Sequence, residues 1–174
     1  MKKYLRFTTI AFIILALLLL TFPASAGAIK TVVTGEIYPL TSSEPVEKSW
    51  VSGQYVDHWR IELMEFQYVT TDVRLDGYAK LINNGDSHYA PDGTHEFTHV
   101  WAKWTIYAEH EFLTPKWNCT NQGGFDADWN FYAEGVCQGA GENKGLVAKL
   151  SFSITDWSLG YMVLNAVIID PGGK

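Results

Sequence analysis

The stretch Glu134-Gly-Val-Cys-Gln-Gly-Ala-Gly-Glu-Asn-Lys-Gly-Leu146 contains four glycines: Gly135, Gly139, Gly141 and Gly145. Glycine is needed where φ is positive or where two layers approach too closely for a Cβ. The spacing predicts a strand that bends, a tight turn, and a second strand that starts at the last glycine. Corners of β-barrels need such glycines. No helix and no Gly-Lys-Ser or Gly-Lys-Thr follows the turn, so a phosphate-binding loop is disfavoured.

Alternating apolar and polar residues recur on both sides of this hairpin, whereas no long amphipathic helix pattern is present. The chain is therefore predicted to be all-β, with about eight strands in one closed antiparallel barrel. The second strand is broken by a bend or bulge, and the last, apolar on both faces, is predicted to be covered on both sides. The predicted strands are Thr31–Tyr38, Tyr55–Val69, Val73–Ile82, His95–Glu109, Asp128–Cys137, Leu146–Thr155 and Tyr161–Ile169.

Turn-forming residues lie between these runs. Asn83–Asp86, Pro91–Gly93 and Gln122–Gly124 are predicted to be turns, and Thr41–Lys48 a loop. The segment Asp126–Asn130 matches the opening of a calcium loop, but the glycine and the glutamate that such a loop requires are missing further on. It is predicted instead to lie in a strand with a solvated acidic face.

The hairpin Gly135–Leu146, with the pattern Gly-x-Cys-x-Gly-x-Gly-x-x-Lys-Gly-Leu, resembles the closing strands of the allene oxide cyclase and dirigent type of β-barrel. The close match covers Glu134–Phe152, with a looser similarity of order and spacing back to His58. The resemblance implies an eight-stranded antiparallel barrel whose interior holds a small apolar molecule. It also implies cyclisation or stereoselective coupling of such molecules, but no catalytic residue of the family lines up with this chain.

The N-terminal segment has the pattern of a secretory signal peptide. Lys2, Lys3 and Arg6 precede the apolar run 11–20, and an Ala-Ser-Ala triplet ends at residue 26. We predict cleavage there, so that residues 1–26 form the signal and residues 27–174 one β-barrel domain. The apolar run is shorter than the roughly 20 residues of a membrane-spanning helix, and no later run approaches that length. The predicted location is secreted, periplasmic or extracellular.

The charge balance disfavours a nucleic-acid-binding role. The chain has 13 basic and 19 acidic residues. The predicted cleavage removes three of the basic residues and no acidic one, which leaves a net charge of −9. Phosphate neutralisation needs clustered Lys and Arg, which this chain lacks.

Cys119 and Cys137 are the only cysteines. Because an exported chain matures where disulfides persist, we expect these two to be joined. Two unbonded buried thiols are the alternative. A zinc site is disfavoured, because the two cysteines are far apart in sequence and lack histidine neighbours.

The segment His95-Glu96-Phe97-Thr98-His99 matches the His-Glu-x-x-His signature of zinc peptidases, with His95 and His99 as ligands and Glu96 as the general base. Two such histidines share an ion on a helix, where they lie about 6 Å apart along the axis. On a strand the separation is roughly 13 Å, and they cannot share one. The flanking residues favour a strand, so the histidines are predicted to lie on the surface or at the rim.

Three functional hypotheses remain, and none requires a cofactor except the third. The first is an exported, disulfide-bonded barrel that binds a small apolar ligand or a partner. The second is a cyclase- or isomerase-like enzyme that uses the same interior, which depends on whether Glu62, Arg74 or Glu134 points into it. The third is a secreted zinc peptidase. No serine has the nucleophile-elbow pattern, so no Ser/His/Asp triad is predicted. Association into oligomers stays open. Four tryptophans are candidates for a sugar-stacking platform or, more simply, for the core: Trp101, Trp104, Trp117 and Trp129.

Overall fold

A computed structural model describes residues 27–40 and 46–172. The predicted signal peptide, residues 1–26, and most of the predicted loop 41–48 lie outside the described residues. The described part is all-β, with nine strands and two short 3-10 helices at Gly141–Asn143 and Trp157–Leu159. The strands are β1 Ile29–Pro39, β2 Lys48–Ser52, β3 Val56–Thr70, β4 Gly77–Tyr89, β5 His95–Tyr107, β6 Pro115–Phe125, β7 Phe131–Gly139, β8 Val147–Ile154 and β9 Met162–Asp170.

All nine strands belong to one antiparallel sheet in the order β1-β9-β8-β7-β6-β5-β4-β3-β2. β1 also pairs with the end of β3, from Gly35 opposite Thr70 to Pro39 opposite Phe66, and this pairing closes a ring of eight strands. β2 pairs with the start of β3, so β1 and β2 share one edge of that strand. A closed ring leaves few unpaired strand edges.

Side chains alternate between the interior and the outer face of the ring, as the two-residue period of a strand requires. β5 shows this most clearly, because Val100, Ala102, Trp104 and Ile106 are buried while the residues between them are exposed or half-buried. The interior positions of all the ring strands form one continuous hydrophobic core. β9 also alternates, with Val163 exposed on the outer face, so the prediction that β9 is covered on both sides is wrong.

One end of the ring is closed by the turn at residues 71–76. Leu75 is fully buried there, and the Arg74 carbonyl accepts hydrogen bonds from Trp117 Nε1 at 2.6 Å and Asn143 Nδ2 at 3.2 Å. Lys116 Nζ donates to the carbonyls of Val73 and Asp76. Desolvation lowers the pKa of Lys116, and nearby carboxylates oppose this shift. These bonds satisfy the polar backbone of a turn that would otherwise be buried unpaired.

The four glycines of the β7–β8 hairpin have two physical roles. Gly141 and Gly145 take φ values of +52° and +94°, which disfavour residues with a side chain. Gly135 and Gly139 are sites of close approach, because a Cβ would lie 3.0 Å from Trp104 Cη2 at the first and 1.8 Å from the Asn143 carbonyl oxygen at the second. The turn contains a 3-10 helix, and β8 begins at Val147, two residues after Gly145 and one residue after the start of the predicted strand Leu146–Thr155.

Two predicted turns are wrong, because both lie inside strands. Asn83–Asp86 belongs to β4 and Gln122–Gly124 to β6, a strand that the sequence analysis missed along with β2. At Gly85 a Cβ would lie 2.2 Å from the Trp59 ring, and at Gly124 it would lie 1.9 Å from the Thr98 carbonyl oxygen. These glycines therefore serve close packing rather than chain reversal.

Two predicted strand segments are turns. Residues 73–76 belong to the turn that closes the ring, and β4 begins only at Gly77. Asp126–Asn130 forms the turn between β6 and β7, where Asp126 Oδ1 accepts hydrogen bonds from the backbone N–H groups of Asp128 and Asn130. The predicted irregularity in the second strand is confirmed, since the β3–β4 register shifts between Arg60 and Glu62.

Candidate functional site

The interior of the ring contains a cavity of about 240 Å³ near the end opposite the closing turn. Its lining includes the ends of β1, β6 and β8, at Pro39, Phe125 and Ile154, and the starts of β7 and β9, at Phe131 and Met162. The other lining residues are Ile37, Met64, Phe66, Tyr68, Leu81, Asn83, Val100, Trp104, Asn121, Phe152, Trp157, Gly160 and Tyr161. The lining is aromatic and aliphatic apart from a few polar side chains, which is the usual composition of a small-molecule site.

Small side chains in one transverse layer of the interior leave room for the cavity. Strand pairing aligns Asn83 with Ala102, Ala102 with Asn121, and Asn121 with Gly135. The same layer continues from Gly135 to Leu150 on β8. The Trp104 ring lies against Gly135, where a larger residue would push it aside.

Aromatic side chains form the rim of the cavity. The rings of Phe125 and Phe131 lie 4.9 Å apart, and Phe125 also stacks with Trp157 at 6.1 Å. Trp157 is held by a hydrogen bond from its Nε1 to the Trp129 carbonyl oxygen, and its 3-10 helix is capped by Asp156. The rim is therefore apolar and ordered by specific contacts.

The cavity also contains polar atoms that lack a partner among the described residues. Asn83 Oδ1, Asn121 Oδ1 and Trp104 Nε1 are buried without a hydrogen bond of normal geometry. Trp104 lies close enough to Tyr68 to affect its hydroxyl, but no hydrogen bond of normal geometry joins the two side chains. Burial raises the pKa of Tyr68 well above its usual range, and the interaction with Trp104 opposes the rise only in part. The Tyr68 hydroxyl is therefore neutral at physiological pH.

The structure places the side chains of Glu62, Arg74 and Glu134 in three different environments. Glu62 is half-buried on β3, and its Oε2 accepts a hydrogen bond from Asn83 Nδ2 at 3.1 Å. Arg74 lies in the closing turn and pairs with Asp72, and Glu134 is exposed on the outer face. Of these three residues, only Glu62 is close to the cavity, because it contacts the cavity-lining Asn83.

Cys119 and Cys137 form a disulfide. They lie directly opposite each other on β6 and β7, with both side chains buried in the interior core. The bond links neighbouring strands beside Trp104 and Trp117. Of the four tryptophans considered, these last two are core residues, whereas Trp101 faces outward and Trp129 is half-exposed in a turn.

His95, Glu96 and His99 lie on β5 and not on a helix. His95 is buried, with Nε2 2.8 Å from Thr98 Oγ1 and its ring stacked on Trp129 at 3.9 Å, while Glu96 and His99 are exposed. Residues four apart on a strand are roughly 13 Å apart, which is too far for one zinc ion. Within residues 27–40 and 46–172, no group of three or more His, Cys, Asp or Glu side chains is placed to hold a metal ion.

Ser52, His58 and Asp86 form a hydrogen-bonded chain on the outer face, which the sequence analysis missed because the residues come from three strands. Ser52 Oγ lies 2.6 Å from His58 Nε2, and His58 Nδ1 lies 2.7 Å from Asp86 Oδ1. The connectivity is that of a nucleophilic triad. A hydrolase also needs free donors for the oxyanion.

Arg60 lies beside these three residues, and its guanidinium already has hydrogen-bond partners. Arg60 Nη2 pairs with Asp86 at 2.9 Å, and Nη1 donates to the carbonyls of Trp59 and Gly85. Its guanidinium lies over Trp101 at 4.5 Å and over Trp50 at 4.9 Å. We interpret the cluster as a set of side-chain contacts that holds the short strand β2 against β3 and β4.

We expect the substitution Asp86→Asn to destabilise the protein by about 1–3 kcal/mol at neutral pH, because it removes the carboxylate that pairs with Arg60 and contacts His58. Burial acts to raise the pKa of Asp86, but the hydrogen bonds from His58 and Arg60 and their charges outweigh it, so the pKa is lowered. A carboxyl group whose pKa is lowered by folding stabilises the fold at pH values above its ordinary pKa of about 3.9. This contribution disappears as the pH falls through the pKa of the folded state.

Urea unfolding at neutral pH and at about pH 2.5 measures this difference. The gap between wild type and D86N should shrink at the lower pH, and Asp128→Asn, in the exposed β6–β7 turn, serves as the control. An equal gap at both pH values would contradict the assignment.

No protein-family model matches the chain, and no curated protein matches it. None of the described residues forms a helix long and apolar enough to cross a membrane. The functional conclusion therefore depends on the geometry of the site.

Proposed function

We propose that this chain is an exported β-barrel whose interior binds a small, mostly apolar molecule. The observation that carries the proposal is the cavity, which lies inside the ring and has an aromatic rim at the end opposite the turn that contains the buried Leu75. The predicted signal peptide and the disulfide support export, because disulfides persist in oxidising compartments. The closed ring of eight antiparallel strands is the architecture that the resemblance to allene oxide cyclase and dirigent barrels implies.

The size of the cavity favours a compact ligand. Ligand sites for drug-sized molecules typically measure about 300–1,000 Å³, and an engineered cavity of about 150 Å³ takes up benzene. The cavity of about 240 Å³ lies between these values, so one or two fused rings suit it.

Binding is favoured over catalysis by the chemistry of the lining. A cyclase or isomerase needs an acid or base in contact with its substrate. The cavity-lining residues in the described part of the chain include no carboxylate, histidine, lysine or arginine. Two tyrosines line it, Tyr68 and Tyr161, and burial raises the pKa of Tyr68, which makes its hydroxyl a weaker proton donor. Glu62 does not line the cavity, and its Oε2 accepts a hydrogen bond from the cavity-lining Asn83.

The substitution Val100→Phe tests whether binding occurs in the interior. Val100 lines the cavity and is buried, so a larger ring there takes up the ligand's space. Titration with 2-methylnaphthalene, followed by its fluorescence, should give saturable one-to-one binding to wild type and a loss of at least about tenfold in V100F.

The control is His99→Phe, which places the same ring on the adjacent residue, facing outward. Its affinity for 2-methylnaphthalene should equal that of wild type. Equal binding of 2-methylnaphthalene to wild type and V100F would overturn the proposal, and so would a failure of wild type to bind both 2-methylnaphthalene and its hydroxyl analogue 2-naphthol.

A further inference from the structure

We infer that the ligand carries a neutral hydrogen-bond donor, a hydroxyl or an N–H group, which it directs at Asn83 Oδ1. The inference rests on the proposed function and specifies the chemical class of the ligand. It follows from one side-chain amide whose orientation is fixed by its surroundings.

The Asn83 amide is oriented by Glu62. Its Nδ2 donates to Glu62 Oε2 at 3.1 Å. Because the Glu62 oxygen accepts this bond, the amide presents its nitrogen to Glu62 and its oxygen elsewhere. Oδ1 therefore points away from Glu62, and Asn83 lines the cavity.

Asn83 Oδ1 is buried and has no hydrogen-bond partner in the described part of the chain. A buried acceptor without a partner costs free energy, which a donor from a ligand recovers. The acceptor lies in a lining that is otherwise largely apolar, so a ligand that brings a donor gains both the hydrogen bond and apolar burial.

Two further polar groups extend the site across the same layer. Asn121 is aligned with Ala102, which is aligned with Asn83, so the two asparagines are two strands apart, or roughly 10 Å. Asn121 Oδ1 is also buried without a partner. Trp104 Nε1 lies two residues along β5 from Ala102 and is a donor. Asn83 Oδ1, Asn121 Oδ1 and Trp104 Nε1 thus lie around part of a largely apolar cavity.

The acceptor at Asn83 disfavours an anionic head group at that position. A ligand carboxylate at Asn83 would face the amide oxygen and, behind it, the carboxylate of Glu62. Like charges and two opposed acceptors repel. We therefore expect alcohols, phenols or N–H heterocycles to bind, and acids of the same size to be rejected.

Three naphthalenes of similar size test the inference: 2-naphthol, 2-methylnaphthalene and 2-naphthoate. Their hydroxyl, methyl and carboxylate groups separate donor, apolar and anionic substituents on one ring system. In wild type we expect 2-naphthol to bind about tenfold more tightly than 2-methylnaphthalene, and 2-naphthoate to bind least.

The variant Asn83→Leu should lose the preference for 2-naphthol while it still binds 2-methylnaphthalene. The matched control is Asn165→Leu, because Asn165 is an exposed asparagine on the outer face of β9. It should keep the wild-type ratio. Should N83L fail to fold, Glu62→Gln is the second variant: a neutral amide at 62 allows Asn83 to rotate, and the preference should fall at least about threefold.

The results separate the inference from the proposed function. If 2-methylnaphthalene binds wild type as tightly as 2-naphthol does, or if N83L and E62Q keep the preference, the inference is overturned and interior binding stands. If none of the three compounds binds wild type, the proposed function fails.

Discussion

Replacement of Trp117 by alanine is expected to destabilise the protein by about 3–5 kcal/mol, the usual cost of removing a large aromatic side chain from a core. Trp117 is fully buried. Its Nε1 also donates to the Arg74 carbonyl oxygen, so the same side chain fills the core and holds the turn that closes the ring. Loss of the indole therefore leaves a void and weakens the closed end.

Urea unfolding followed by circular dichroism measures the loss. The conservative variant Trp117→Phe keeps most of the ring but loses the donor, and it should cost about 1–2 kcal/mol, since Asn143 Nδ2 still satisfies the Arg74 carbonyl. Trp157→Ala is the control, because its indole is 55% exposed. A W117A variant no less stable than W157A would contradict the assignment of Trp117 to the core.

Removal of the disulfide in the double variant Cys119→Ala/Cys137→Ala is expected to cost about 3 kcal/mol, because the bond closes a loop in the unfolded chain. The two cysteines are 18 positions apart and lie in directly paired positions on β6 and β7. The strand pairing itself does not depend on the bond, so we expect the variant to fold with reduced stability.

Dithiothreitol provides the matched control. It should lower the stability of wild type toward that of the double variant and leave the variant unchanged. If wild type and the double variant unfold at the same urea concentration without reductant, the disulfide does not contribute to stability as described.

The strands that could be predicted from the sequence are those that alternate between core and solvent. β5 is the clearest case, because Val100, Ala102, Trp104 and Ile106 alternate with polar or half-buried residues. β4 could not be predicted in full, since Asn83-Asn84-Gly85-Asp86 has the composition of a turn. A turn glycine and a glycine of close approach look alike until the partner is known, and for Gly85 that partner is the Trp59 ring.

The candidate site could be predicted only in outline. The strand pattern indicated an interior, and the resemblance implied an apolar ligand. The polar atoms of the cavity could not be found, because Asn83 and Asn121 are far apart in sequence and meet in one layer only through the register of β4, β5 and β6. The residues around Asn83 have the composition of a turn, and the conspicuous His95-Glu96-x-x-His99 motif lies on β5, outside the cavity lining.

The most direct measurement of the central claim is a crystal structure of the protein with 2-naphthol. We expect one ring system inside the cavity, between Phe66, Val100 and Phe152, with its hydroxyl within hydrogen-bond distance of Asn83 Oδ1. A 2-naphthol molecule bound on the outer face, with the interior occupied by protein side chains alone, would contradict it.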